Sequence, residues 1–325
     1  QGKKTEAAAV RAMVSAIRGA KPTTVRLTNY RQDGSAFTNV LTLQPVHDSL
    51  GEYRFSVGLL SDGALKASEG AALERLRAAL PTSFDAPAQP KAFSESATKV
   101  DEEAQRKQYR SSMAKFTRLL WSMDWEGSLR NVMGQPAAVG AFGQWLTQHS
   151  PSDAAQLELL VLTAQLGQLP PEQVGAQAQG ICAHYLGQQF ESGEEAMASL
   201  GAHAQAALGA LAMESFPKFV QSKACLPLVE QLLGSAADDV QKVDQLLWAK
   251  YTVPEDCAGW VHSFAAVAET FPACIVLSDM ALPGNPMFYV NQEFCRVTGY
   301  AKEEASGRNC RFLQGPKTEP QSVAV

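Results

Sequence analysis

Near the end of this 325-residue chain, Cys310 stands between Asn309 and Arg311, with Gln314 four residues on. A lone cysteine on a helix is ordinarily a small hydrophobe in a core. Here its neighbours are an amide, a guanidinium and a second amide, and on a helix Cys310, Leu313 and Gln314 share one face. Arg suits a phosphate, which it grips with two parallel hydrogen bonds. The set points to a thiol beside a polar ligand rather than to core filling. Two more amides lie near the start. In TTVRLTNY, alternation puts Val25, Leu27 and Asn29 on one face, and in AFTNVLTL it groups Phe37, Asn39, Leu41 and Leu43. Each apolar face therefore carries one Asn. A buried amide without partners costs about 1–3 kcal/mol. Either the two satisfy each other or the backbone, or they bond the polar edge of a flat ligand lying on the sheet.

Such residues need elements to hold them. Val10, Met13, Val14 and Ile17 recur at helical spacing, and Gly19 stops that helix. TTVRLTNY, AFTNVLTLQPV and EYRFSVGLL read as three strands, joined by a hairpin at Asp33-Gly34 and a turn over 48–51. One helix on such a meander is too small for a full domain. Residues 63–80 read as a helix, 81–98 as a flexible Pro/Ser/Ala-rich linker, and 100–124 as helix again. Over 125–233 every periodic stretch is helical, with stripes at Leu157, Leu160, Val161 and Ala164 and at Ile181, His184, Tyr185 and Phe190. Residues 235–253 predict a further amphipathic helix ended near Pro254. A helix from Trp260 leads into the strand ACIVLSDM, and PMFYVNQEF is a second strand entering a helix. The expected class is α+β, with sheet halves at both ends of an all-α middle.

Composition narrows the function. Hydrophobic residues are 46% and charged residues 19%, enough for compact cores. A net charge of −5 without a basic block argues against nucleic acid and anionic membranes as partners. No apolar run approaches the roughly 20 residues of a membrane span. The six cysteines, 182, 225, 257, 274, 295 and 310, have no paired spacing, which suits reduced thiols in the cytoplasm. No Cys/His cluster has metal spacing, and neither a GxxxxGK loop nor a GxSxG elbow is present. The chain starts at Gln1 without an initiator Met and reads as a piece of something longer.

The nine residues GRNCRFLQG resemble the signature of LOV domains, the FMN-binding, PAS-type blue-light sensors found in phototropins. The stretches IVLSD and NPMFYVNQEFCRVTGYAKEE that lead to it fit the same family. The resemblance gives Cys310 the role of the photoactive thiol that bonds to the flavin after blue light. It makes Asn309, Arg311 and Gln314 flavin contacts, with Arg311 on the FMN phosphate. QGKKTEAAAVRAMVSAIRGAKPTTVRLTNYRQDGSAFTN resembles the helix and strands that follow the signature, where Asn29 and Asn39 match two flavin-ring amides. Two departures stand out. Val14 occupies the place of a second phosphate-binding Arg, for which Arg11 or Arg18 could substitute, and Leu60 replaces a Gln that responds to the flavin. The middle resembles an RGS domain, a regulator of G-protein alpha subunits, through AVGAFGQWLTQHSPSDAAQLELLVLTAQL, AQGICAHYLGQQF and MESFPKFVQSKACLPLVEQL. That resemblance makes a heterotrimeric G-protein alpha subunit a partner, with GTPase acceleration as the one enzyme-like activity. Its contact positions have drifted: Gln156 stands for an Asn, Glu214 for an Asp and Lys218 for an Arg, and Pro217 interrupts the expected helix.

The resulting organisation is 1–62, the C-terminal half of a first LOV domain; 63–124, linker; 125–233, RGS-like; 234–264, linker helices; 265–325, the N-terminal half of a second LOV domain. Gln1–Glu6 and Gln314–Glu319 differ at one position, as expected of the same stretch in two tandem copies. The two halves also sum to one LOV domain in permuted order, so their apolar sheet faces could pair within one chain. The expected function is a blue-light receptor fragment coupled to a signalling domain. The alternatives are a G-protein regulator or adaptor with relic LOV units and a dark flavin redox sensor.

Overall fold

The computed structural model describes residues 7–62, 67–85, 102–233 and 240–314. The repeated hexapeptides fall almost wholly outside that set. The chain divides into one unit of residues 1–120 and 233–325 and a second of 121–232.

In the first unit, α1 (Ala7–Arg18) buries Val10 and Met13 and ends at Gly19, whose N–H bonds Ser15 O at 3.0 Å. Strands β1 (Thr23–Tyr30) and β2 (Ala36–His47) form the expected hairpin. Its turn needs Gly34 at φ +82°, a left-handed conformation that glycine adopts without a Cβ penalty. Strand β3 (Tyr53–Asp62) continues the meander. Strands β4 (Cys274–Asp279) and β5 (Met287–Val290) then join the same sheet, in the order β1-β2-β3-β4-β5, all antiparallel. The β3–β4 ladder runs from Phe55 opposite Asp279 to Leu60 opposite Cys274. The two halves therefore pair within one chain. Each would otherwise leave a strand edge and an apolar face uncovered.

The sheet has two covered faces. On one, Leu27, Leu41, Leu43, Leu60 and Val276 pack with α1, α13 (Gln292–Thr298), α14 (Lys302–Ala305) and the 3-10 turn Cys310–Gln314. On the other, Phe55 stacks on Trp260 at 5.5 Å, and Trp260 on Phe84 at 5.3 Å. Trp260 and Phe264 come from α12 (Ala258–Ala268), and Phe116, edge-on to Phe264 at 5.1 Å, comes from α3 (Glu102–Met123). Helix α2 (Ala67–Ala79) buries Leu73 and Leu76.

Three expectations for this unit change. Residues 81–85 are docked rather than free: His47 N–H donates to Thr82 O and Phe84 N–H to His47 O, each at 3.0 Å, because Phe84 gains burial against Phe55 and Trp260. Residues 86–98 lie outside the described set. Of the helix expected over 235–253, residues 235–239 lie outside the described set, α11 (Val240–Asp244) is helical and 245–253 are not. Beyond α11 the chain forms a strap along the outer edge of β5 between turns at 245–246 and 249–250, with Leu247 bridged to Tyr289 and Trp248 N–H donating to Phe288 O at 2.7 Å. Tyr251 stacks on Phe288 at 4.2 Å and donates its hydroxyl to Asp279 Oδ2 at 2.7 Å. An edge strand with free backbone groups and a ring to stack on outweighs weak helix propensity. Lastly, the Cys310 segment is a 3-10 turn, so its residues project about 120° apart rather than along an α-helical face.

The second unit is helical throughout: α4 (Trp125–Met133), α5 (Pro136–His149), α6 (Pro151–Leu166), α7 (Pro171–Ile181), a π turn Cys182–Leu186, α8 (Gly193–Met213), α9 (Ser215–Gln221) and α10 (Cys225–Leu233). Asp124 caps α4 and Ser192 caps α8, while proline opens α5, α6 and α7, where its missing N–H costs nothing. Phe142, Phe216 and Phe219 form a ring cluster with centroids 5.0–6.5 Å apart. The α6 stripe differs from the one read from helical spacing: Leu159 and Leu166 are buried with Leu157 and Leu160, while Ala164 is exposed. His184 is also exposed, carried outward by the π turn. Pro217 sits in the first turn of α9, and its ring cannot follow a helical Met213 carbonyl, so the helices break at Glu214. Among the described residues no helix is long and apolar enough to cross a membrane.

Candidate functional site

The register lays out the cavity-side face of the sheet in rows. Asn39 has Leu27 opposite it on β1 and, by backbone pairing, Asp62 on β3; the next row is Val25, Leu41, Leu60 and Cys274; then Leu43, Gly58, Val276 and Val290; then Pro45, Ser56, Ser278 and Met287. Asn29 lies one face-step beyond Leu27 on β1. Over this floor is a cavity of about 20 Å³, roofed by Met13 of α1, Phe294 of α13, and Cys310, Leu313 and Gln314 of the 3-10 turn. Asn29, Asn39, Ser56 and Ser278 face it from the sheet. The structure thus brings Cys310 and Gln314 to the same cavity as Asn29 and Asn39, although nearly the whole chain separates them.

The two sheet amides satisfy neither each other nor the backbone. Asn39 is fully buried with both Oδ1 and Nδ2 unbonded, and Asn29, 3% exposed, leaves Oδ1 unbonded. Cys310 is half-buried; burial raises its thiol pKa against the opposing pull of Arg311, so at neutral pH it is a protonated thiol. Asn309 and Arg311 do not line the cavity. Asn309 donates its side-chain N–H to Gly284 O at 2.7 Å and accepts from Arg311 N–H at 3.0 Å, bracing the signature turn against the β4–β5 loop. Arg311 is exposed, as are Arg11 and Arg18, and Val14 packs against the core.

The turn is also tied to β5. Met287 N–H donates to Arg308 O and Gly307 N–H to Met287 O, both at 2.8 Å. Gly307 has φ +80°, and a Cβ there would lie 2.6 Å from the Trp248 ring. The strap therefore rests on the glycine three residues before Cys310.

Sequence reasoning missed Ser56, Ser278 and Met13. For the serines the signal was present: Ser56 alternates with Gly58 and Leu60, and only the β3–β4 pairing adds Ser278 beside it. In the helical unit, Gln156 is half-buried with Oε1 unbonded, while Glu214 and Lys218 are exposed on α9 and its cap. A hydrogen bond from Ser215 Oγ to Asp153 Oδ2 ties the start of α9 to the first turn of α6, which carries Asp153 one turn before Gln156.

Residues 272–324 match the PAS domain family. The blue-light-activated histidine kinase 1 of Erythrobacter litoralis is 57% identical over 49 residues, 15% of this chain and 14% of that protein. Over that segment the chain is similar to PAS domains, the LOV type among them. Phototropin-2 of Oryza sativa subsp. japonica is 26% identical over 326 residues, spanning 99% of this chain and 33% of the relative. The blue-light photoreceptor of Listeria monocytogenes is 48% identical over 50 residues, 15% of this chain and 20% of that protein. The chain spans a third or less of the length of each of these relatives. Among solved structures, an RNA-binding Light-Oxygen-Voltage receptor aligns at 14% identity and a TM-score of 0.17, covering 96% of this chain and 65% of that one.

A flavin, the cofactor that the resemblance implies, would meet these residues. Three orphaned amide atoms beside a protonated thiol suit a ring with a hydrogen-bonding edge. About 20 Å³ is room for roughly one water. Entry of a tricyclic ring therefore requires the apolar lining, Met13, Phe294 and Leu313 among it, to part.

Proposed function

We propose that the chain is the sensory and coupling part of a blue-light receptor that binds FMN and uses Cys310 as its photoactive thiol. The unbonded amides of Asn29 and Asn39, buried in the cavity that Cys310 lines, carry this reading. When bound, FMN supplies the light absorption and the ring that accepts the sulfur. The remaining work belongs to the chain. Asn29 and Asn39 would hold the ring's polar edge, Gln314 and the exposed Arg311 would serve the rest of the cofactor, and Cys310 would present a protonated Sγ to the ring. Movement of the Cys310 turn would reach Trp248 through Gly307, and from there the strap and α11. The helical unit would be the output, an RGS-like module for a G-protein alpha subunit, with Gln156, Glu214 and Lys218 in the contact region. The bond between Asp153 and Ser215 supports that grouping.

Leu60 supports a second reading. It is 3% exposed in the cavity and has no amide with which to answer the flavin, which favours a dark flavin redox sensor. Illumination of the FMN-loaded full chain separates the readings. Reversible loss of the blue absorption band, abolished in Cys310→Ala with FMN still bound, is the expected result. Bleaching that survives the substitution would sink the thiol's role, and a chain that takes up no flavin would leave a G-protein adaptor with a relic sensor.

A further inference from the structure

One polar atom of the cavity has no role in that account. Ser56 Oγ is buried without a hydrogen-bond partner, on a residue 5% exposed, and it faces the cavity alongside Gly58 and Leu60 of β3. Burial raises the pKa of the Tyr53 phenol and Ser56 lowers it, yet that pair does not reach bonding geometry. Directly across the ladder, Ser278 of β4 lines the same cavity. Along β3, Ser56 is six residues from Asp62, the partner of Asn39. Leu41, Leu60, Leu43 and Val276 fill the rows between. The cavity is therefore polar at two separated places with an apolar stretch in the middle.

An unbonded buried hydroxyl destabilises the chain that carries it. Such a group is accounted for when its partner comes from outside the chain. We infer that the Ser56 hydroxyl is a second anchoring point for the cavity ligand, hydrogen-bonding a polar atom of FMN, or a water bound with it, away from the Asn29–Asn39 end. The inference rests on the flavin reading of the cavity. It makes β3 a ligand-contacting strand through Ser56, even though Leu60 on the same strand is inert.

Ser56→Ala in the full-length chain tests it with two measurements: FMN affinity by flavin fluorescence, and thermal unfolding without FMN. The variant should melt no lower than the parent, since no internal bond is lost, and should bind FMN about tenfold more weakly, equivalent to about 1.4 kcal/mol. A lower melting temperature with unchanged affinity would mark Ser56 as structural and overturn the assignment. Equal affinity and equal melting overturn it as well. If the parent chain takes up no FMN, the flavin reading falls first and takes this one with it, so the two failures are distinguishable.

Discussion

On one face of the sheet Phe55 meets Trp260, Phe84 and Phe288 ring to ring; on the other, seven residues along β2 from Val46, the register partner of Phe55, the Asn39 side chain meets no hydrogen-bond partner. The same five strands carry both. The aromatic face is closed by α12, α3 and residues 81–85, and its side chains find complementary apolar surface. The cavity face keeps amides and a hydroxyl buried without bonds, an arrangement that costs stability and that the proposed ligand would account for. Packing quality thus separates the aromatic face from the face proposed to take the ligand.

Substitutions can break or sharpen that contrast. The largest effect on stability belongs to the aromatic face. Phe55→Ala, which removes a ring 1% exposed and shared by three others, should cost about 3–5 kcal/mol by urea denaturation. A loss below about 1 kcal/mol would mean that this face is not the stabilising one. Gly58→Ala comes next. Its Cβ would lie 2.5 Å from Val276 Cγ2, so β3 and β4 must shift, at about 1–3 kcal/mol, and the added methyl should also lower FMN uptake. A neutral Gly58→Ala would show that the floor of the cavity is looser than the ladder implies. Asn39→Leu should be the mildest for stability and opposite in sign. It replaces two unbonded polar atoms with apolar ones of similar shape, so the chain without FMN should gain up to about 1 kcal/mol while flavin binding weakens. A destabilised Asn39→Leu would reveal an internal partner for the amide and erase the difference between the faces.

Much of this was legible in the residues. Period-two alternation placed Asn29 and Asn39 on apolar faces, Asp33-Gly34 marked the hairpin, and the residue types around Cys310 singled it out. The strap was not legible, because helical spacing over 235–253 is a local signal and the β5 edge that captures Leu247, Trp248 and Tyr251 is not local. Nor was the docking of Phe84, whose Pro- and Ser-rich surroundings read as linker until Trp260 and Phe55 are placed beside it. Ser56 alternates with Gly58 and Leu60, but only the pairing of β3 with β4 sets it beside Ser278.

By itself the sequence determined the local elements, the two faces of each strand and the thiol with its polar neighbours, since these depend on residues within a few positions of one another. Only the tertiary structure decided that β3 pairs with β4, that Cys310 and Asn39 share one cavity and that Leu60 and Ser56 belong to it. Those facts depend on pairing between segments more than 200 residues apart, where edge completion and burial of apolar faces outweigh anything the intervening chain prefers.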